Sequence, residues 1–284
     1  MASNHEFQEV GNLGVWQGFA ALFRKENYLW WRTSRWVVQI LVWLLIANGI
    51  LFSVIEIAPH MEKAPGTSAA QSASPAGVNQ GSMDIYGLNV FLKMAGVTLA
   101  IGVVILGQGA MIDEKQSGTA AWVLSKPISR MAFIVAKVIS HAIGILATMA
   151  VAQGGIAYLM IYFVTGKTLP VLPYAGAIGL LFVSLLFWLS LTILLSTLSN
   201  MRGFVIGVPL IFILGYTLFT DLLPWTGNYM PWNLTTAIGA DRQAIGVSLV
   251  TGQPLSSLMP LWTCLAWCLL FTVIAIWRFQ REEL

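Results

Sequence analysis

Charge is scarcest in this sequence. Of 284 residues, 10% are Asp, Glu, Lys or Arg and 57% are hydrophobic, with a mean hydropathy of +0.76. A soluble domain carries about 25% charged residues, so this chain has too few to coat a water-facing surface. That excludes an ordinary soluble protein and leaves lipid as the plausible solvent. Twelve Trp and seven Tyr agree, since their amphipathic rings favour the membrane–water boundary. The net formal charge of +3 is small, and no nucleic-acid partner is expected.

Cysteine is almost absent too. Cys264 and Cys268 stand four apart on one apolar helix and read as small core residues, so neither a disulfide framework nor a metal site is expected. No nucleotide loop is present. Gly166-Lys167-Thr168 supplies the end of G-x-x-x-x-G-K-[ST], but Ile161 holds the place of its first glycine, so the stretch reads as a turn. An HExxH zinc motif is missing, as is any repeat of 20–50 residues. The N-terminus MASNHEFQEV is polar and acidic. The first long apolar run opens near Trp36, exceeds a signal-peptide core of roughly 7–15 residues and lacks an A-x-A cleavage site, so it reads as a retained span.

Long apolar runs are what the chain has in quantity. A spanning helix needs about 20 mostly apolar residues, and six runs qualify: 36–57, 87–111, 132–164, 174–199, 203–223 and 258–278. The third is too long for one straight span, so its first turns, Met131 to Lys137, are expected in the interface. The chain is therefore expected to be an all-α integral membrane protein, with 1–284 forming a single transmembrane domain.

Basic residues orient it. With the N-terminus in the cytoplasm, Arg24, Lys25, Arg32, Arg35, Lys115, Lys126, Arg130, Lys137, Arg202, Arg278 and Arg281 fall inside. Only Lys63, Lys167 and Arg242 fall outside, and Lys93 lies within a span. Eleven against three supports both termini in the cytoplasm, and the expected location is the inner (cytoplasmic) membrane. Residues 14–34 place Val15, Phe19, Leu22 and Phe23 at helical spacing and predict an amphipathic helix on the cytoplasmic surface. Residues 58–86 read as a flexible outward linker. Segment 224–257 faces outward, with a short helix packed on the outer rim.

The stretch 112–131 carries the densest charge. Asp113, Glu114 and Lys115 leave the membrane together. Ser117-Gly118 breaks the helix, because glycine tolerates unusual backbone angles. Thr119 to Leu124 then form a short helical piece bearing Trp122, which Ser125-Lys126-Pro127 ends, since proline disfavours helix at the residue before it. A helix restarts after Ile128, with Ser129 as a candidate N-cap. The product is a short helix parallel to the membrane, clamped between two turns and shaped to receive something from the cytoplasm.

Here the sequence resembles the ABC-2 type exporter permeases. The family's loop runs E-x-x-x-G-T, a few apolar residues, L-S-x-P-[VI]-S-R, then a G-K pair. Glu114, Gly118, Thr119, Leu124, Ser125, Pro127, Ser129, Arg130 and Lys137 match; Ala136 replaces the usual Gly. The resemblance implies that this loop is a coupling helix docking on a separate ATPase, with Glu114, Gly118, Thr119, Trp122, Ser125, Pro127, Arg130 and Lys137 coupling the two. It also implies two cytoplasmic ATPase subunits carrying ATP and Mg, and a second permease copy or paralogue. Transport would be ATP-driven export, with no cofactor and no catalytic site on this chain.

Polar residues at membrane depth are costly and often functional. Lys93 and Glu56 lie at similar depth and are expected to pair or to touch a substrate. Asn48, Gln108 and Gln153 are weaker candidates for lining a cavity. Gly203, Gly207 and Gly215, with Pro209 among them, are candidates for a helix interface. His141, one turn after Lys137, reads as a packed histidine rather than a proton relay. Two rival classes make other demands on the sequence. A membrane-embedded enzyme needs convergent catalytic groups, and an ion-coupled secondary transporter favours inverted repeats and broken helices.

Overall fold

The computed structural model describes residues 16, 18–57, 83–119, 122, 125, 128–238, 243–255 and 257–281. It is a helical bundle. A helix α1 (Phe19–Trp31) precedes the long helices α2 (Trp36–Ile57), α3 (Met83–Gln116), α4 (Arg130–Thr165) and α5 (Val171–Leu198). Then come α6 (Arg202–Leu214), α7 (Tyr216–Leu222), the short α8 (Thr226–Tyr229), α9 (Trp232–Thr235) and α10 (Ile245–Thr251), and finally α11 (Met259–Gln280). Among the described residues, five helices are long and apolar enough to cross a membrane, and α6 with α7 makes a sixth if the bent pair counts as one span. Most of the outward linker read at 58–86 lies outside the described residues.

Helix α5 is the axis. It contains no charged residue, and 67% of its apolar window is buried inside the chain, against 17% for α11. A helix apolar all round belongs in the middle, and α3, α11 and α10 all pack on it. Four of its hydroxyls are satisfied locally. Ser190, Thr192, Ser196 and Thr197 donate to carbonyls three or four residues back on the same helix.

Two elements carry detail that the apolar runs do not show. The third span is one continuous helix, Arg130–Thr165, and its first turns are buried inside the bundle. Phe133, Ile134, Ala136, Lys137 and Ser140 are all covered, because α1 packs along that half of α4. The fifth run bends by 60° between α6 and α7, at Gly215. A Cβ there would sit 2.6 Å from the Ile211 carbonyl oxygen, so Gly215 belongs to the bend.

The helices also carry π-helical turns, at Leu44–Asn48 and Ser53–Ile57 in α2 and at Leu146–Val151 in α4. Such turns disturb the backbone ladder and free carbonyls. The turns at 44–48 and 146–151 lie where α2 meets α4. Asn48 Nδ2 donates to Gln153 Oε1 at 2.7 Å, and Gln153 Nε2 donates to the Ile40 carbonyl at 3.0 Å. Asn48 and Gln153 are 2% and 0% exposed. With these bonds the two buried side chains tie α2 to α4.

Candidate functional site

Helix α1 buries Leu22, Glu26 and Trp30, spaced by four along one stripe. Trp30 lies on Gly144 of α4, where any Cβ would meet the indole at 2.7 Å. Its ring also stands edge-on to His141 at 5.7 Å. His141 is buried, with Nδ1 2.9 Å from the Lys137 carbonyl. An acid within an apolar stripe demands a cation, and α4 supplies one. Lys137 Nζ is 3.0 Å from Glu26 Oε1 and 3.1 Å from Glu114 Oε2, with its side chain 3% exposed. Glu114 closes the cluster by accepting from Lys25 at 2.8 Å.

Two cations and two anions therefore join α1, the end of α3 and the start of α4. The formal charges cancel, which is the condition for holding ions out of water. Glu114 and Lys137, both expected to couple the spans to a docked partner, pair with Lys25 and Glu26 of α1. Glu26 was missed in the sequence. The available signal was its place between Leu22 and Trp30, where a lone acid on a buried stripe has to be paired.

Beyond this junction α3 ends at Gln116, and the chain turns at Gly118, whose φ is +70°. Ser117 Oγ and Thr119 Oγ1 share a 2.8 Å hydrogen bond across the turn. The Trp122 amide donates to the Gly118 carbonyl at 3.1 Å, so a helical turn follows immediately. Ser125 Oγ then donates to the Trp122 carbonyl at 2.8 Å. The Trp122 ring is 63% exposed. Pro127 and residues 120–121, 123–124 and 126 lie outside the described residues.

The far side of the loop is tied to the last helix. Ser129 occupies the position before α4, but its side chain makes no capping bond. Arg130 Nη1 donates to the Phe279 and Gln280 carbonyls at 3.2 and 2.9 Å. A guanidinium there satisfies end carbonyls and complements the negative end of the α11 dipole. Arg130 thus staples α4 to α11. Asp113 accepts from Arg202 at 2.7 Å, joining α3 to α6, with both side chains exposed. Lys115 donates to the Thr197 carbonyl of α5 at 3.1 Å. Charged residues at this one end thus bind every long helix except α2 to a neighbour.

Other expected residues lie elsewhere. Lys93 is exposed and forms no ion pair with Glu56 among the described residues. That expected pair is corrected: Lys93 points out from α3, whereas Glu56 is half-buried on α2. Gln108 is half-buried, with Oε1 lacking a hydrogen-bond partner among the described residues. Gly203 and Gly207 have no atom within 4 Å of an added Cβ, so that face of α6 is open in one chain. Gly215 sits in the bend and not on it. Gly166 ends α4 with φ +69°, as a turn glycine does. Cys264 is buried and Cys268 half-buried, both free. Among the described residues no three His, Cys, Asp or Glu side chains are grouped to hold a metal ion.

A family model described as ABC-2 family transporter protein matches residues 31–284. No curated protein matches the chain.

Proposed function

The chain belongs to the ABC-2 family of ABC transporter membrane proteins, and from that premise we propose that it is the permease subunit of an ATP-driven exporter. The family's membrane proteins work with ABC ATPase subunits. In our reading two such ATPases, carrying ATP and Mg, bind below a pair of permeases made of two copies of this chain or of this chain and a paralogue. Both termini lie in the cytoplasm, beneath the inner membrane, with α1 on that surface and 224–257 outside.

One observation carries the proposal. Trp122 hangs exposed from a turn that is fixed by Gly118 and rooted in the ion cluster of Glu26, Lys137, Glu114 and Lys25. An exposed aromatic is the natural anchor for a pocket on a partner, and a rooted loop transmits a push rather than absorbing it. ATP-driven closure of the ATPases would move this loop and with it α1, α3 and α4 as one body. Opening and closing of the path then follows as a two-state switch, biased by nucleotide.

The broken helix α6–α7 is a feature that an ion-coupled secondary transporter also favours, so the decisive test is the partner. The tagged permease should pull down a P-loop ATPase, and the pair should hydrolyse ATP where the permease alone does not. Trp122→Ala should leave the permease inserted but weaken capture of the ATPase about tenfold or more, the loss of a buried aromatic anchor of about 2 kcal/mol. Undiminished capture would remove Trp122 as the anchor, and ion-driven transport without any ATPase would remove the proposal.

A further inference from the structure

Where α6 bends into α7, a small notch opens between α3, α5 and α9. It is lined by Gly96 and Val97 of α3, Ser184 and Trp188 of α5, Ile213 and Tyr216 on either side of the bend, and Trp232, Thr235 and Thr236, and has room for about one water molecule. Segment 231–236 is buried throughout. It reaches this depth because α3 gives way at Gly96, where a Cβ would overlap the Thr235 hydroxyl. The expected position of this segment, on the outer rim, is therefore corrected: part of it is inserted into the bundle. Irregular backbone at such depth is tolerated where protein buries it or where it lines a cavity.

The notch gathers several polar groups without partners. Many hydroxyls on the spans, such as those of Ser190 and Thr192, donate to their own helix, although Ser140 Oγ on α4 does not. Those of Ser184, Thr235 and Thr236 make no hydrogen bond to the described residues, although the three are 2%, 2% and 5% exposed. Trp232 is 7% exposed, and its Nε1 has no partner. An indole N–H can only donate, so whatever satisfies it must accept. Among the described residues no carboxylate lines the notch.

Lys93 completes the set. It precedes Gly96 by three residues and Val97 by four, so it shares their face of α3, one turn toward the Met83 end. It is exposed, and its ammonium makes no hydrogen bond or ion pair to the described residues. Asp84, the next acid along α3, is nine positions farther out. A cation one turn along α3 from the notch and unsatisfied donors within it select one chemistry, a negatively charged acceptor group.

We propose that Lys93 and the notch below it form an anion-accepting subsite, which takes a carboxylate or phosphate group of the transported molecule. The inference rests on the permease reading for the word transported, but not for the binding itself. The acid group ion-pairs with Lys93 and accepts from Trp232 Nε1 and the hydroxyls as the bend at Gly215 opens the notch.

The test uses the full-length permease in a neutral detergent, without an ATPase. Dodecyl phosphate, dodecanol and inorganic phosphate are titrated separately, and tryptophan fluorescence and the thermal midpoint are followed. Dodecyl phosphate should bind more tightly than dodecanol and raise the midpoint. Binding of inorganic phosphate as well identifies a free anion as the source, whereas binding of the amphiphile alone identifies an anion on an apolar tail. Lys93→Met should weaken dodecyl phosphate about tenfold, the value of one charge-assisted contact, and leave dodecanol unchanged. Lys93→Arg should restore it, and Trp232→Phe should lose part of it. Equal affinity for dodecyl phosphate and dodecanol, or parental affinity in both Lys93→Met and Trp232→Phe, overturns the proposal. Failure to capture an ATPase would leave this binding intact, so the two readings fail separately.

Discussion

At Lys137 the physics is that of a buried ion with too much to lose. Its side chain is 3% exposed, and it faces Glu26, itself 5% exposed, and Glu114. Removing one partner of such a pair typically costs about 3–5 kcal/mol, because the other charge is left buried without compensation. Lys137→Met should therefore lower expression and thermal stability sharply. Adding Glu26→Leu should recover much of the loss, since an apolar pair of similar volume replaces the ions. A double-mutant cycle on the thermal midpoint checks this. Additive losses would mean that the two side chains do not act together. Glu114→Ala should be milder than Lys137→Met, because Lys137 keeps Glu26 and Lys25 can reach water at 38% exposure. The matching of Glu114 and Lys137 to a family loop located both residues in the sequence. It could not reveal their inward partners, because Lys25 and Glu26 lie 89 and 111 residues away and nothing local announces the pairing.

The legible elements were those governed by local rules. Spans follow from runs of apolar residues, and the turn at Gly118 from glycine's access to positive φ, which the structure holds at +70°. The bend in the fifth run was not legible. Pro209 lies inside α6 without breaking it, while Gly215, which does sit at the break, looks in the sequence like another small residue of the Gly203–Gly207 stripe. The insertion of 231–236 was equally hidden, since it depends on the space that Gly96 leaves on a different helix. Gly118 allows an element-level prediction. A Cβ there meets no atom within 4 Å, so Gly118→Ala meets only backbone strain, about 1–2 kcal/mol. The protein should stay folded and inserted, but the loop should shift relative to α3. In complex with its ATPase, this variant should bind nearly as the parent does and show reduced substrate-stimulated ATP hydrolysis. Unchanged stimulation would mean that the turn connects and does not transmit.

For the molecule as a whole, the distribution of charge is the strongest constraint. Lys25, Asp113, Glu114, Lys115, Arg130, Lys137 and Arg202 meet at one end of the bundle, where they bond α1, α3, α4, α5, α6 and α11 to one another. Basic residues are retained on the cytoplasmic side of a membrane, so that end should face the cytoplasm together with Ser125, which is exposed in the loop. Helix α2 ends and α3 begins at the opposite end. Cysteine labelling reads this directly. The native Cys264 is buried, and both cysteines lie within the apolar helix α11, so a membrane-impermeant maleimide should label the parent little. Ser72→Cys should be labelled in intact cells, and Ser125→Cys only after lysis. The reverse pattern would turn the protein over in the membrane. It would set Trp122 and its rooted loop outside, beyond the reach of any cytoplasmic ATPase, and the coupling mechanism would fall with it.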